Sequence, residues 1–257
     1  MHSHSLTRIN DPLGFGQGLI AVIPLFHGHE LTNKGTEDMC RKTMIIAFLA
    51  GAGISTPALA EQGDLLVRVR GIMVAPNERS GGVTPTFPTE KVKVSNSVMP
   101  EIDFTYMLSK HIGAELILAT TKHEAGGRTG TTGSIGKLAS TWVLPPTLTL
   151  QYHFAPEGAV RPYVGAGVNY TIFYAEKASK GLESAVGETD VSMKSSFGYA
   201  LQAGVDVPLS DRTFLNFDVK YIDMDTTTRL ATTAIGTQSV RVHLDPLVVG
   251  IGFGMRF

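Results

Sequence analysis

The sequence predicts an all-β protein, an eight-stranded antiparallel up-and-down transmembrane β-barrel with long loops at one end and short turns at the other. Three observations predict it. Apolar residues alternate with small or polar ones in run after run, most clearly over 247–257. There Leu247, Val249, Ile251, Phe253, Met255 and Phe257 fall on one face, and Val248, Gly250, Gly252, Gly254 and Arg256 on the other. Side chains alternate along a strand, so one face is large and apolar while the other is small or charged. The run matches the roughly 9–11 residues that a tilted strand needs to cross a bilayer. Second, the connections alternate between short and long, the up-and-down pattern of membrane barrels. Third, the chain is 43% apolar with 28 glycines and a mean hydropathy of only +0.09. It has no run of about 18 apolar residues, as a helical span requires. Only half of each barrel strand faces lipid, which gives this composition.

Each run supports the same reading. The first, 65–74, sets Leu65, Val67, Val69 and Met73 against Arg68 and Arg70. The second, 98–108, sets Ile102, Phe104, Tyr106 and Leu108 against Glu101, Asp103 and Thr105. The third, 112–121, sets Ile112, Ala114, Leu116 and Leu118 against Glu115. The fourth, 143–154, sets Leu148, Leu150, Tyr152 and Phe154 against Thr147, Thr149, Gln151 and His153. The fifth, 161–173, carries Val164, Ala166, Val168, Tyr170 and Ile172 on one face. The sixth, 197–207, sets Phe197, Tyr199, Leu201, Ala203, Val205 and Val207 against Gln202 and Asp206. The seventh, 213–222, sets Leu215, Phe217, Val219 and Tyr221 against Asn216, Asp218 and Lys220; the eighth begins near Val240 and ends at Phe257. Short connections fall at 109–111, 155–160 and 208–212. Long polar ones, rich in Gly, Ser and Thr, fall at 75–97, 122–142, 174–196 and 223–239. A soluble lipocalin-like barrel would turn its apolar face inward. Here Phe104, Tyr106, Tyr152, Phe154, Phe217 and Tyr221 sit on the apolar face near strand ends, as interfacial girdles do.

Before the barrel the sequence reads as a leader. Arg41 and Lys42 form a basic region, a short apolar stretch follows, and Ala58-Leu59-Ala60 forms a small-x-small cleavage site. Residues 39–60 are thus expected to be a signal peptide and 61–257 the barrel domain. Residues 1–38 are an upstream extension: either Met39 or Met44 is the true start, the simpler account, or the extension is genuine and carries the apolar stretch 19–26. Cys40, the single cysteine, falls inside the leader, so the mature chain is expected to have neither disulfide nor cysteine chemistry.

The terminal strand resembles the last strand of bacterial outer-membrane barrels, whose aromatic carboxy-terminal residue the barrel-assembly machinery reads. Phe253, Met255 and Phe257 are the assembly signal this resemblance implies. More specifically, the run Arg161-Pro162-Tyr163-Val164-Gly165-Ala166-Gly167-Val168-Asn169-Tyr170 resembles the most recognisable motif of the OmpW family. So do Ala114-Glu115-Leu116-Ile117-Leu118-Ala119-Thr120 followed by Lys122-His123, and Asp245-Pro246 ahead of the Gly-rich last strand. The resemblance covers 61–257. It implies a barrel in the bacterial outer membrane, among its lipids, with a small helix in the third long loop near 174–182. It also implies passage of small, often hydrophobic molecules. The Gly/Thr-rich second loop, 122–142, departs from the family pattern.

An eight-stranded barrel is just wide enough for its own side chains to fill it. By alternation the inward charges are Arg68, Arg70, Arg161, Lys220 and Arg256 against Glu101, Asp103, Glu115, Asp206 and Asp218. A narrow low-dielectric space favours pairing, so these form a plug of ion pairs. Removing Asp103 is expected to strand an arginine. Nearer the long loops, Ile72, Val74, Met99, Ile117, Val143, Phe173, Ile222 and Val248 are inward by the same parity. An apolar cup of these residues suits small hydrophobic solutes; packing of the barrel mouth is the alternative.

Other chemistry is sparse. His111 lies in a turn and His153 at a strand base. His243 and Asp245 are expected to share a face at the rim, and His123 and Glu124 to open a loop. None shows a serine partner. No metal or cofactor motif is read, and neither the formal net charge of −1 nor any basic-aromatic stripe suggests nucleic acid. A transport barrel and a closed barrel whose loops bind a partner both remain. A lateral gap near the mouth would favour the first.

Overall fold

The structure, a computed structural model, describes residues 61–257. The expected leader and upstream extension lie outside these residues.

From the short-turn end the chain rises in β1 (Leu65–Ala75), forms β2 (Arg79–Ser80) and β3 (Val92–Val94) in the first long loop, and descends in β4 (Ser97–Met107). It rises again in β5 (Ile112–Ala119) and β6 (Thr121–Gly127), turns through α1 (Gly130–Ile135), and descends in β7 (Lys137–Leu144) and β8 (Thr147–His153). The long β9 (Arg161–Ala178) leads to α2 (Lys180–Val186), then β10 (Thr189–Met193) and β11 (Ser196–Pro208) descend. The chain finishes with β12 (Thr213–Ile222) and β13 (Asp225–Thr232) rising, and β14 (Gly236–His243) and β15 (Leu247–Arg256) descending.

Eight antiparallel strands close the barrel, in the order β11-β12-β15-β1-β4-β5-β8-β9, with β9 returning to β11. The eight-stranded up-and-down barrel is therefore as expected. Its seam joins the two ends of the domain. Met255 lies opposite Val67, and Leu65 and Phe257 exchange both backbone hydrogen bonds, at 3.1 and 2.9 Å. The outer face is apolar and exposed, with Val69, Leu148, Leu150, Val168, Ile251 and Phe253 between 47% and 60% accessible. Water would penalise such a surface; lipid matches it. The inner face takes bulk where glycine yields space. A Cβ on Gly204 would lie 2.3 Å from the Tyr163 hydroxyl, and one on Gly254 would lie 2.1 Å from the Phe214 ring.

Above the barrel the walls continue, which differs from the sequence reading of the long connections as polar loops. Strands β3, β6, β7 and the upper half of β9 form one extension; β10, β13, β14 and β2 form a second sheet. Both keep the alternation. In β13, Thr226, Thr228 and Leu230 are buried between the more open Thr227, Arg229 and Ala231. The fourth and eighth runs are each two strands. Pro145 and Pro146 interrupt the fourth, because neither can donate to a ladder. Asp245 interrupts the eighth with a φ of 35°, directly before Pro246. The helix of the third long loop is Lys180–Val186, while 174–178 belong to β9. Ser179 caps it, its hydroxyl accepting from the Leu182 N–H at 3.1 Å. A second short helix, α1, occupies the Gly/Thr-rich loop.

Candidate functional site

Three layers fill the interior. At the bottom, Leu66, Met107 and Phe214 form a small apolar floor. Above it lies a charged layer whose members alternation on β1, β4, β5, β11 and β12 points inward. Arg68 contacts Asp206 at 2.8 Å, Asp103 at 3.1 Å and Glu115 at 3.6 Å. Arg70 contacts Asp103 at 2.7 Å, Glu101 at 2.8 Å and Asp218 at 3.5 Å. Lys220 lies 2.7 Å from both Glu101 and Asp218. Neutral groups complete the layer: the Asn216 amide donates to Asp206 at 2.7 Å, and the Tyr163 hydroxyl to Asp218 at 2.9 Å. No side chain among the three cations and five carboxylates is more than 5% accessible. Its ion pairs cross the interior from β1 to β4, β5, β11 and β12.

Asp103 bridges both arginines, and each arginine keeps at least one other carboxylate at 2.8 Å. Losing Asp103 therefore leaves neither arginine alone, which revises the sequence expectation. Arg161 and Arg256 sit lower, at the short-turn end, where Arg256 contacts Asp64 at 3.2 Å. The five-against-five balance read from sequence thus divides. Within the layer three cations face five carboxylates, and two further arginines lie at its lower edge.

The upper layer is an apolar pocket enclosing about 1210 Å³, counting the part open to solvent. Ile72, Val74, Ile117, Val143, Phe173, Ile222 and Val248 line it; Met99 has the same parity but is not part of this lining. Glu101 and Lys220 form its base. Sequence reasoning missed its upper half. Val83, Val92, Leu138, Met224 and Leu230 from the long connections, and Val240, Val242 and Leu244 from the start of the eighth run, also line it, all at most 8% accessible. The signal was present in the alternation of 225–232 and 236–243, obscured by threonines that can face either water or a pocket.

The histidines serve the framework. His123 lies in β6 rather than opening a loop, 2.8 Å from the Ser95 carbonyl through Nδ1 and 3.0 Å from the Thr121 hydroxyl through Nε2. Burial depresses its pKa below the usual imidazole value. His243 and Asp245 do not share a face: His243 is exposed, while Asp245 is buried, accepting from Arg79 at 2.8 Å. His111 Nδ1 meets the His153 carbonyl at 2.7 Å. Among the described residues no group of three or more His, Cys, Asp or Glu side chains is placed to hold a metal ion. Phe253 and Phe257 face outward, 60% and 68% accessible, with Met255 half-buried between them.

On one side of the pocket the strand pairing is interrupted. The ladder between β5 and β8 ends at Ile117–Thr147, and that between β6 and β7 begins only at Thr121–Val143. Pro145 and Pro146 occupy the interval, and Ala119, Pro145 and Thr147 border the pocket there.

A barrel of eight strands with this interior invites comparison with known proteins, and the OmpW family model matches residues 61–257. The chain belongs to the OmpW family. It is 35% identical to Outer membrane protein W of Escherichia coli over 222 residues, covering 84% of this chain and 100% of that protein. It is 37% identical over 192 residues to the uncharacterized outer-membrane protein y4mB of Sinorhizobium fredii, covering 74% of this chain and 79% of that one. Among solved structures it is similar to the outer membrane protein OprG from Pseudomonas aeruginosa, with a TM-score of 0.72 and 29% identity over 79% of this chain and 98% of that one. This OmpW-family barrel is thus an outer-membrane protein set among the lipids of the bacterial outer membrane.

Proposed function

We propose that this OmpW-family barrel takes small hydrophobic molecules into the apolar pocket at its outer end and releases them sideways toward the bilayer. The observation that carries the reading is the pairing of an apolar pocket with a base of buried ion pairs. Solute entering from the long-loop end meets carbon side chains, then a layer of ion pairs that offers no aqueous path. The open ladder beside Pro145 and Pro146 is the side on which the pocket borders lipid. Transfer from an apolar pocket into a bilayer moves an apolar solute between similar media, so no polar barrier need be crossed. The reading also includes recognition of Phe253, Met255 and Phe257 by the barrel-assembly machinery, supported by their outward placement on the strand that closes the seam.

Charge placed in the pocket tests the reading. An unpaired carboxylate there disfavours apolar ligands and draws in water. Val143→Asp and Ile72→Asp are expected to lower uptake of a small hydrophobic solute per folded protein in liposomes, with unheated gel mobility retained. Unchanged uptake in both, with folding intact, would falsify the pocket's role and favour partner binding through the outer extensions.

A further inference from the structure

The open side of the pocket is held by a polar knot. His153 N donates to the His111 carbonyl at 2.8 Å, and the register then runs Gly113–Gln151, Glu115–Thr149 and Ile117–Thr147. Hydrogen-bonded pairs recur every second residue in an antiparallel ladder, so the next rung sets Ala119 against Pro145. Proline has no N–H, which removes one of the two bonds of that rung. The other would run from the Ala119 N–H to the Pro145 carbonyl. That carbonyl is already engaged: the Thr147 hydroxyl donates to it at 2.9 Å and the Asn169 amide at 3.1 Å. The same amide lies 3.3 Å from the Pro146 carbonyl and 2.8 Å from Thr147 Oγ1. Asn169 Oδ1 accepts from the Thr171 hydroxyl at 2.6 Å, which fixes which end of the amide points at the prolines. Asn169 and Thr171 are at most 1% accessible.

Backbone carbonyls at membrane depth must find partners within the protein, so a broken ladder persists only where something else satisfies them. We infer that Asn169 is a positioning residue that, beside the Tyr170 N–H bond to the Pro146 carbonyl at 3.1 Å, draws the Pro145–Pro146 backbone against β9 and thereby holds the β5–β8 rung at Ala119 open. The inference rests on the sideways release proposed above and assigns its geometry to one side chain. Two prolines alone would remove donors; with only the Thr147 hydroxyl on it, the Pro145 carbonyl would keep one lone pair with which to close half of the rung. With the amide gone, the nearest backbone donor in register is Ala119, and bonding to it brings β5 and β8 together across the opening.

The test uses the full barrel in lipid nanodiscs, with Asn169→Leu, which keeps the shape without the amide. Exchange of the Ala119 amide, followed by NMR, is expected to slow by about fivefold, the factor that one net backbone hydrogen bond is worth. Transfer of a hydrophobic fluorescent probe from the pocket to the bilayer is expected to slow as well. Unchanged or faster exchange at Ala119 in a barrel of normal mobility overturns the role of Asn169. Slower exchange with unaltered probe transfer supports that role and instead removes the sideways route. Should Asn169→Leu fail to fold, Thr171→Val releases only the anchor of the amide. It is expected to slow Ala119 exchange by a smaller factor, and no change there overturns the inference too.

Discussion

Removing Arg70 should damage the barrel more than removing Asp103, although the two are ion-paired at 2.7 Å. The layer holds three cations, Arg68, Arg70 and Lys220, against five carboxylates. In Asp103→Asn both arginines retain close carboxylates, Asp206 for Arg68 and Glu101 for Arg70, each at 2.8 Å. The loss is then that of charge-assisted hydrogen bonds, about 1.5–3 kcal/mol. In Arg70→Leu, Glu101, Asp103 and Asp218 all lose a cation within 3.5 Å, and two cations remain for five carboxylates. Breaking a buried pair so that charge is left uncompensated costs about 3–5 kcal/mol. The Asn216 side chain, which accepts from Arg70 at 3.1 Å, loses a partner as well. Adding Asp103→Asn to Arg70→Leu should recover part of the loss, because residues of one network couple non-additively. The assay is urea unfolding of the reconstituted barrel, read by gel mobility of unheated samples and by fluorescence of Trp142, the only tryptophan of the chain. An Asp103→Asn barrel as unstable as Arg70→Leu, or a double variant worse than either single one, would refute the view that carboxylate excess sets the stability of this layer.

Three further outcomes are expected. Phe253→Asp places a charge on the lipid face of β15 and should impair assembly, at a cost of up to a few kcal/mol and less than a lysine would incur; outer-membrane level and gel mobility check it, and normal values of both would overturn the outward assignment. His123 has a folded pKa below that of the unfolded chain, because burial disfavours its charged form. The native state therefore binds fewer protons, and stability is intact above about pH 6.5 and lost as pH falls through that value toward the folded pKa. Amide exchange in β6 and β7 should rise on that side, and His123→Gln should flatten the dependence. Finally, amino-terminal sequencing of membrane-extracted protein is expected to begin at Glu61, and a retained Cys40 would contradict cleavage after Ala60.

The barrel was legible because strand periodicity needs no partner to be read. Alternation over 65–74 or 247–257 states which side chains share a face, and the apolar content of that face states that it meets lipid. The same parity pointed seven of the pocket-lining residues inward, together with the charges of the layer beneath. What alternation cannot state is register. That Asp103 serves two arginines, that 225–232 and 236–239 build wall rather than loop, and that Asn169 meets the carbonyls of Pro145 and Pro146 all depend on how far each strand is staggered against its neighbour. Stagger is a property of the closed sheet: tilt and shear must be consistent around all eight strands before any one pair is fixed. The sequence by itself therefore determined the faces, and with them the fold and the membrane. Closure of the sheet decided the partners, the depth of the pocket and the side on which its ladder is broken.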